Sequence, residues 1–427
     1  MSKIALMVDH VTGLKCTICG QVYRPDEVDY ICPKHGSDGN LDVLYDYDLI
    51  QHRVKSDGLS SSPGLWRYKA LLPIAADSEL PSLVVGNTPF YLSTLVAQRL
   101  GLKEVWFKDD GRNPTASLKD RASALVVARA KSEGRAMVTT ASTGNAAAAL
   151  AGLSASLQLP CVIFVPVSAP EAKITQLLVY GATVFLVNGT YDDAFELCLQ
   201  ASKRYGWYCR NTGYNPYTAE GKKTVSYEIC EQLAVRAGEF SAPDCVVVSV
   251  GDGNIISGVH KGLRDLLMLG WIDHMPRLIG VQAEGSAFLY QVWKNKADPL
   301  THPPVEAHTI ADSISAGLPR DRVKALAAVR ETSGEYLTVS DQEILEAIPA
   351  LARATGIFAE PAASAAYAGL IKAAQDGLIN PGERVVTLIT GNGLKDVASA
   401  RKASGQAHKV DANFDAVMRA INEVFES

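Results

Sequence analysis

The stretch Ala-Met-Val-Thr-Thr-Ala-Ser-Thr-Gly-Asn-Ala-Ala-Ala-Ala-Leu-Ala-Gly-Leu-Ser-Ala-Ser-Leu-Gln-Leu-Pro-Cys-Val-Ile-Phe-Val-Pro-Val-Ser-Ala-Pro, residues 136–170, contains no charged side chain. Its length alone would suit a membrane-spanning helix, but its punctuation does not. Thr139 to Asn145 is polar and includes Gly144, and Pro160 interrupts again. The run therefore divides into a short strand, a helix of small residues and a second strand. Strands covered by helices on both faces read as unbroken apolar runs, so burial in an α/β core accounts for the missing charges.

The same alternation extends in both directions. Apolar strands are predicted at Glu104 to Lys108, Ala136 to Thr140, Cys161 to Val165 and Thr183 to Val187. A second series follows at Cys245 to Val250, Leu278 to Gln282, Tyr336 to Val339 and Arg384 to Thr390. Each gap holds a crossover helix, which gives parallel βαβ units and two open parallel sheets. Such sheets place ligands beyond the carboxyl ends of their strands. A chain of 427 residues allows two to three domains. Lys plus Arg total 41 against 46 Asp plus Glu, a net charge of -5, so no basic field favours nucleic acid. The N-terminal apolar run, Ile4 to Val8, is too short for a secretory segment and is stopped by Asp9 and His10. We expect a cytoplasmic protein with no membrane partner.

Chemistry-bearing residues fall at the predicted strand ends. Asn113-Pro114-Thr115-Ala116-Ser117-Leu118-Lys119-Asp120-Arg121 delivers Lys119 to the start of an apolar helical run, Ala122 to Ala130. A helix N-terminus disfavours a cation, so a lysine there needs another reason to be present. Ser142-Thr143-Gly144-Asn145 offers hydroxyls, amides and a carboxamide at a helix N-terminus, donors that suit a carboxylate. Gly251-Asp252-Gly253-Asn254-Ile255 follows an uncharged strand, where glycines let backbone amides approach a phosphate. Thr390-Gly391-Asn392-Gly393 follows another.

These segments together resemble the fold-type II pyridoxal-phosphate enzymes, and the Asn-Pro-Thr-x-Ser-x-Lys-Asp-Arg form is most similar to the threonine synthase-like members. The similarity runs from about Leu65 to Asp396 and includes the Gly86-Asn87-Thr88-Pro89 turn and Glu360-Pro361-Ala362-Ala363-Ser364. The resemblance implies that Lys119 carries pyridoxal 5'-phosphate. By the same resemblance, Asn145 faces the ring oxygen, Gly251, Asp252, Gly253, Asn254 and Ile255 cup the phosphate, and Thr390 faces the ring nitrogen. It also implies an amino-acid substrate held by Ser142, Thr143, Gly144, Asn211, Thr212 and Lys222. The implied reaction converts O-phospho-L-homoserine and water to L-threonine and phosphate, in a homodimer. Two positions depart from the family's pattern: Thr218 stands where the family has an arginine for the substrate phosphate, and Asn392 replaces a histidine. Without that arginine, β-elimination or β-replacement on an unphosphorylated amino acid, such as serine or threonine, is the competing expectation, and Lys222 is the candidate substitute cation.

Upstream, Cys16-x-x-Cys19 and Cys32-Pro33-Lys34-His35 have the spacing of paired zinc knuckles. Four protein ligands leave no open position, so such a zinc would be structural. The remaining five cysteines show no framework spacing and are expected to be reduced core thiols. We thus expect an α/β enzyme with two open parallel-sheet lobes of fold type II and a small zinc-ribbon-like module. The expected bounds are 1–40 for the module, 41–100 with 216–400 for a large cofactor-binding lobe, 101–215 for a small mobile α/β lobe, and 401–427 for a tail helix. The stripe Phe414, Val417, Met418, Ile421 and Phe425 is expected to dock on the core or on a neighbouring subunit.

Overall fold

A computed structural model describes residues 8–169, 171–236 and 238–425. Ile4 to Met7, Pro170 and the last two residues of the tail lie outside them. Three sheets organise the chain. The first, near the N-terminus, is a three-stranded antiparallel sheet of β1 (Val11–Cys16), β2 (Val22–Tyr23) and β3 (Leu41–Tyr45), in the order β2-β1-β3.

The largest sheet has six strands: β4 (Phe90–Leu92), β5 (Glu104–Asp109), β10 (Cys245–Ser249), β11 (Arg277–Ala283), β12 (Glu335–Val339) and β13 (Arg384–Ile389). Their order is β12-β11-β10-β13-β5-β4, with only β4 antiparallel. The remaining sheet holds β6 (Val138–Ala141), β7 (Cys161–Pro166), β8 (Thr183–Val187) and β9 (Tyr208–Cys209). All four are parallel, in the order β8-β7-β6-β9. β10 is buried along its whole length, as an apolar strand with helices on both faces must be.

Two sheet-level findings differ from the expectation. Strand β5 pairs with β13 from Arg384↔Glu104 to Ile389↔Asp109. Sheet membership therefore puts Glu104 to Asp109 with the large sheet, whereas 101–215 was assigned to the small lobe. The cause is tertiary: a strand's sheet is decided by the strand it pairs with, here β13, which no short local run of residues encodes. Strand β9 was not anticipated, because two residues carry no periodicity. In the tail helix Phe414–Phe425, Ala416 alone is buried, while Phe414, Met418, Ile421 and Phe425 are exposed. The stripe does not dock on this chain's own core. The five scattered cysteines are free and buried, as expected.

Candidate active site

The lysine loop is fixed by its Asn113, Thr115 and Asp120 side chains and by its backbone. Asn113 accepts from the Gly86 N–H through Oδ1 (2.9 Å) and donates through Nδ2 to the Asp110 carbonyl (3.1 Å). The Asp120 carboxylate accepts from the Thr115 N–H at 2.7 Å and from its hydroxyl. Ala116 adopts φ +66°, a left-handed conformation that a β-carbon resists. The loop is stitched to the end of β13: the Leu118 N–H donates to the Thr390 carbonyl (2.9 Å), the Asn392 N–H donates to the Ala116 carbonyl (3.1 Å), and Ser117 pairs with Gly391. Lys119 then opens the helix Lys119–Ser132.

The Lys119 side chain has no hydrogen-bond or ion-pair partner among the described residues. Burial pulls its ammonium down to about 8; Glu360 opposes that shift, and the nearby Arg210 adds to it. Lys119 lines a cleft of ≈ 380 Å³ together with the ends of strands from both parallel sheets.

From the smaller sheet come Ser142, Thr143, Gly144 and Asn145, just past β6, and Thr212, just past β9. The Gly144 N–H donates to Ser142 Oγ (3.3 Å). Asn145 donates through Nδ2 to both oxygens of Glu360 (2.9 and 3.1 Å). Burial pushes the Glu360 carboxyl up, against the opposite pull of Asn145 and Lys119. Asn211 is placed differently from its neighbours. Its Oδ1 accepts from the Thr140 hydroxyl (2.9 Å) and the Ala141 N–H (2.8 Å), so its carboxamide braces the Ser142 loop from behind and lines no part of the cleft.

From the larger sheet comes Gly251-Asp252-Gly253-Asn254-Ile255, between β10 and the helix Asn254–Met268. Gly253 has φ +88°, and a β-carbon there would lie 2.6 Å from that of Ala325. No acceptor occurs among the described residues for the Gly251 to Ile255 amides. They form an anion-binding nest at a helix N-terminus. Asp252, unwelcome beside an anion, is turned to the neighbouring loop: its Oδ1 accepts from the Arg320 N–H (3.2 Å) and its carbonyl from the Asp321 N–H (2.9 Å). Ser249 Oγ, which also lines the cleft, is buried without a partner.

Lys222 is fully buried at the same cleft and donates through Nζ to Asn254 Oδ1 (2.5 Å). Burial, with Arg210 and Lys119 nearby, drives its ammonium far below the ordinary lysine range. Thr218 donates to the Asn215 carbonyl (2.8 Å). Lys223 is engaged elsewhere, with Glu220 (2.6 Å) and Asp265 (2.8 Å). Arg210, just past β9, also lines the cleft. Neither Arg210 nor Glu360 was anticipated, because each matters through a neighbour that is remote in sequence.

The chain belongs to the pyridoxal-phosphate dependent enzyme family, whose model matches residues 81–391. It is 37% identical to a threonine synthase of Methanocaldococcus jannaschii over 96% of this chain and 99% of that one. It is 39% identical to a threonine synthase of Methanosarcina acetivorans over 96% of this chain and 98% of that one. An L-serine ammonia-lyase from Rhizomucor miehei shares the fold at TM-score 0.63 and 20% identity, covering 74% of this chain and 96% of that one. The residues present fit the cofactor: a partnerless lysine, an unfilled amide nest and an orphaned Ser249 hydroxyl meet at one cleft.

Proposed function

We propose that the chain catalyses the conversion of O-phospho-L-homoserine and water to L-threonine and phosphate. Its full-length likeness to the archaeal threonine synthases carries this reading, and the unpaired Arg210 at the cleft supports it. When bound, pyridoxal phosphate supplies an electron sink for carbon acids next to the substrate nitrogen. The Gly251 to Ile255 amides would receive its phosphate, Asn145 would hold its ring oxygen, and the Thr390 hydroxyl would serve its ring nitrogen. A hydroxyl there does not hold that nitrogen protonated, which favours elimination and replacement over transamination. Ser142, Thr143 and the Gly144 N–H hold the substrate carboxylate. Lys119 Nζ removes and returns protons along the substrate carbons as the γ C–O bond breaks, phosphate leaves, and water adds at the β carbon.

The deciding assay compares phosphate release from phosphohomoserine with ketoacid formation from threonine and from serine. Threonine and phosphate in equal amounts support the proposal, and ketoacid alone refutes it. The lysine itself gives a pH test. Only the free amine is a nucleophile, so uptake of pyridoxal phosphate by the cofactor-free chain should rise about tenfold per pH unit below the Lys119 value and level off above about 8. Stopped-flow absorbance measures this. A climb continuing towards pH 10, as for an ordinary lysine, would contradict it.

We also propose a structural zinc at Cys16, Cys19, Cys32 and His35. All four ligand atoms lie within 4.8 Å of one another. The His35 Nδ1 is 3.7 Å from Cys16 Sγ and 3.5 Å from Cys32 Sγ. Tetrahedral zinc with ordinary bond lengths separates its ligands by about 3.5–3.8 Å. Metal analysis should find one zinc per chain, lost in a Cys32→Ser variant together with several degrees of thermal stability. No helix among the described residues is long and apolar enough to cross a membrane, and we place the enzyme in the cytoplasm. The exposed stripe on Phe414–Phe425 supports assembly as a homodimer.

A further inference from the structure

We infer that Arg210 is the guanidinium that receives the substrate's phosphate and so sets specificity for a phosphorylated amino acid; this rests on the reaction proposed above. Four arginines are buried among the described residues. Three of them are paired with carboxylates: Arg121 with Asp110 and Glu228, Arg129 with Glu133, and Arg322 with Asp38. Arg210 is fully buried and has no carboxylate within ion-pair distance among the described residues. Its Nε donates to Ser123 Oγ (3.3 Å) and its Nη1 to Thr212 Oγ1 (2.5 Å), while Nη2 is left without a partner. A buried guanidinium is normally paired, because nothing else offsets the loss of its hydration. An arginine left open at the wall of a ligand cleft is waiting for an anion.

Placement identifies which anion. Pyridoxal phosphate has its own receptor in the amide nest that follows β10. Arg210 instead stands at the end of β9, which pairs with β6. β6 leads directly into Ser142 to Asn145, the donors for the substrate carboxylate. Two adjacent strand ends of one sheet thus present donors for the two anionic ends of one small molecule. Lys119, Lys222 and Asp252 line the same cleft, and because burial drives Lys222 towards its neutral form, Arg210 is the cation there best able to hold a second phosphate. A planar guanidinium with one hydroxyl-fixed edge presents its free edge to a tetrahedral anion with little ordering cost.

The test uses the cofactor-loaded enzyme and its Arg210→Gln and Arg210→Lys variants, with inorganic phosphate as inhibitor and phosphohomoserine as substrate. Losing a charge-assisted contact of this kind should raise both the inhibition constant for phosphate and the KM for phosphohomoserine by roughly 10- to 100-fold in Arg210→Gln, with partial recovery in Arg210→Lys. Cofactor content, measured by visible absorbance, should stay at the wild-type level, as should affinity for phosphate-free serine. Weakened cofactor retention with unchanged phosphate inhibition would assign Arg210 to the cofactor and overturn the inference. Unchanged values throughout would reduce Arg210 to a packing residue and overturn it as well. If the unmodified enzyme releases no phosphate from phosphohomoserine, the reaction itself falls; if it does and the variants match it, this inference alone falls.

Discussion

Lys119→Ala should abolish turnover, by more than about a thousand-fold, without weakening the fold. Removing a covalent attachment point and proton carrier accounts for the loss of rate. The unusual half of the expectation concerns stability. Lys119 is half-buried in the cleft wall without an ion pair or hydrogen bond among the described residues, and its desolvation disfavours the charged form. A lysine whose pKa is lowered on folding costs stability wherever the unfolded chain is protonated; the cost grows as pH falls from the ordinary lysine value of 10.5 to about 8 and is complete below that. The cofactor-free variant should therefore melt at or above the temperature of the cofactor-free parent at pH 7, while the visible cofactor band disappears. Calorimetry and absorbance on the same preparations check both. A variant that loses activity by unfolding would show that the lysine was structural.

Arg121→Met should have the opposite profile, a loss of about 3–5 kcal/mol of stability. Arg121 donates to both oxygens of Asp110 and both of Glu228, at 2.6 to 2.8 Å. The same carboxylates hold the turn before β4: Glu228 accepts from the Asn87 N–H (2.8 Å), and Asp110 accepts from the Thr88 hydroxyl (2.7 Å). Lys108 also reaches Glu228 (2.7 Å). Every member is buried, so deleting the arginine strands two carboxylates against one lysine. The neighbouring cations hold the Glu228 carboxyl far below its usual range despite burial. That contribution is complete above the pKa of an unfolded glutamate, about 4.3, and is lost as the pH drops through the depressed folded value. Urea titration at pH 7 should register the loss, and Arg121→Met with Glu228→Gln should recover part of it. Additive losses in the double variant would contradict the coupling.

Both results bear on what a sequence can disclose. The strand-end motifs were legible because each packs its requirement into a few neighbouring residues. Gly253 is needed for a left-handed backbone, Asp120 for its bond to Thr115, and the Lys119 loop for its Pro and Asn. Arg210 was not legible, since its significance is the absence of a partner and absence leaves no pattern. Glu360 entered only as part of a motif match until Asn145, 215 residues away, was seen to donate to it. Asn211 carried a plausible polar signal, but its carboxamide is spent on Thr140 and Ala141. The Gly86 to Pro89 turn carried only a motif match, whereas bonds to Glu228 and Asp110 tie it to the buried ionic network. The assignment of β5 depended on register, which no local stretch encodes.

The N-terminal ribbon offers a last consequence. Asn40 donates through Nδ2 to Asp321 Oδ1 (2.9 Å), Asn254 donates to Asp321 Oδ2 (2.8 Å), and Lys222 reaches Asn254 in turn. Asp321 is fully buried. Trimming the first forty residues to obtain a minimal catalyst would strip one oxygen of that carboxylate of its amide donor and leave Asn254 leaning on a loosened anchor. Such a shortened protein should still assemble its two larger sheets yet hold its ligands poorly, so what resembles a detachable appendage is better regarded as a keystone.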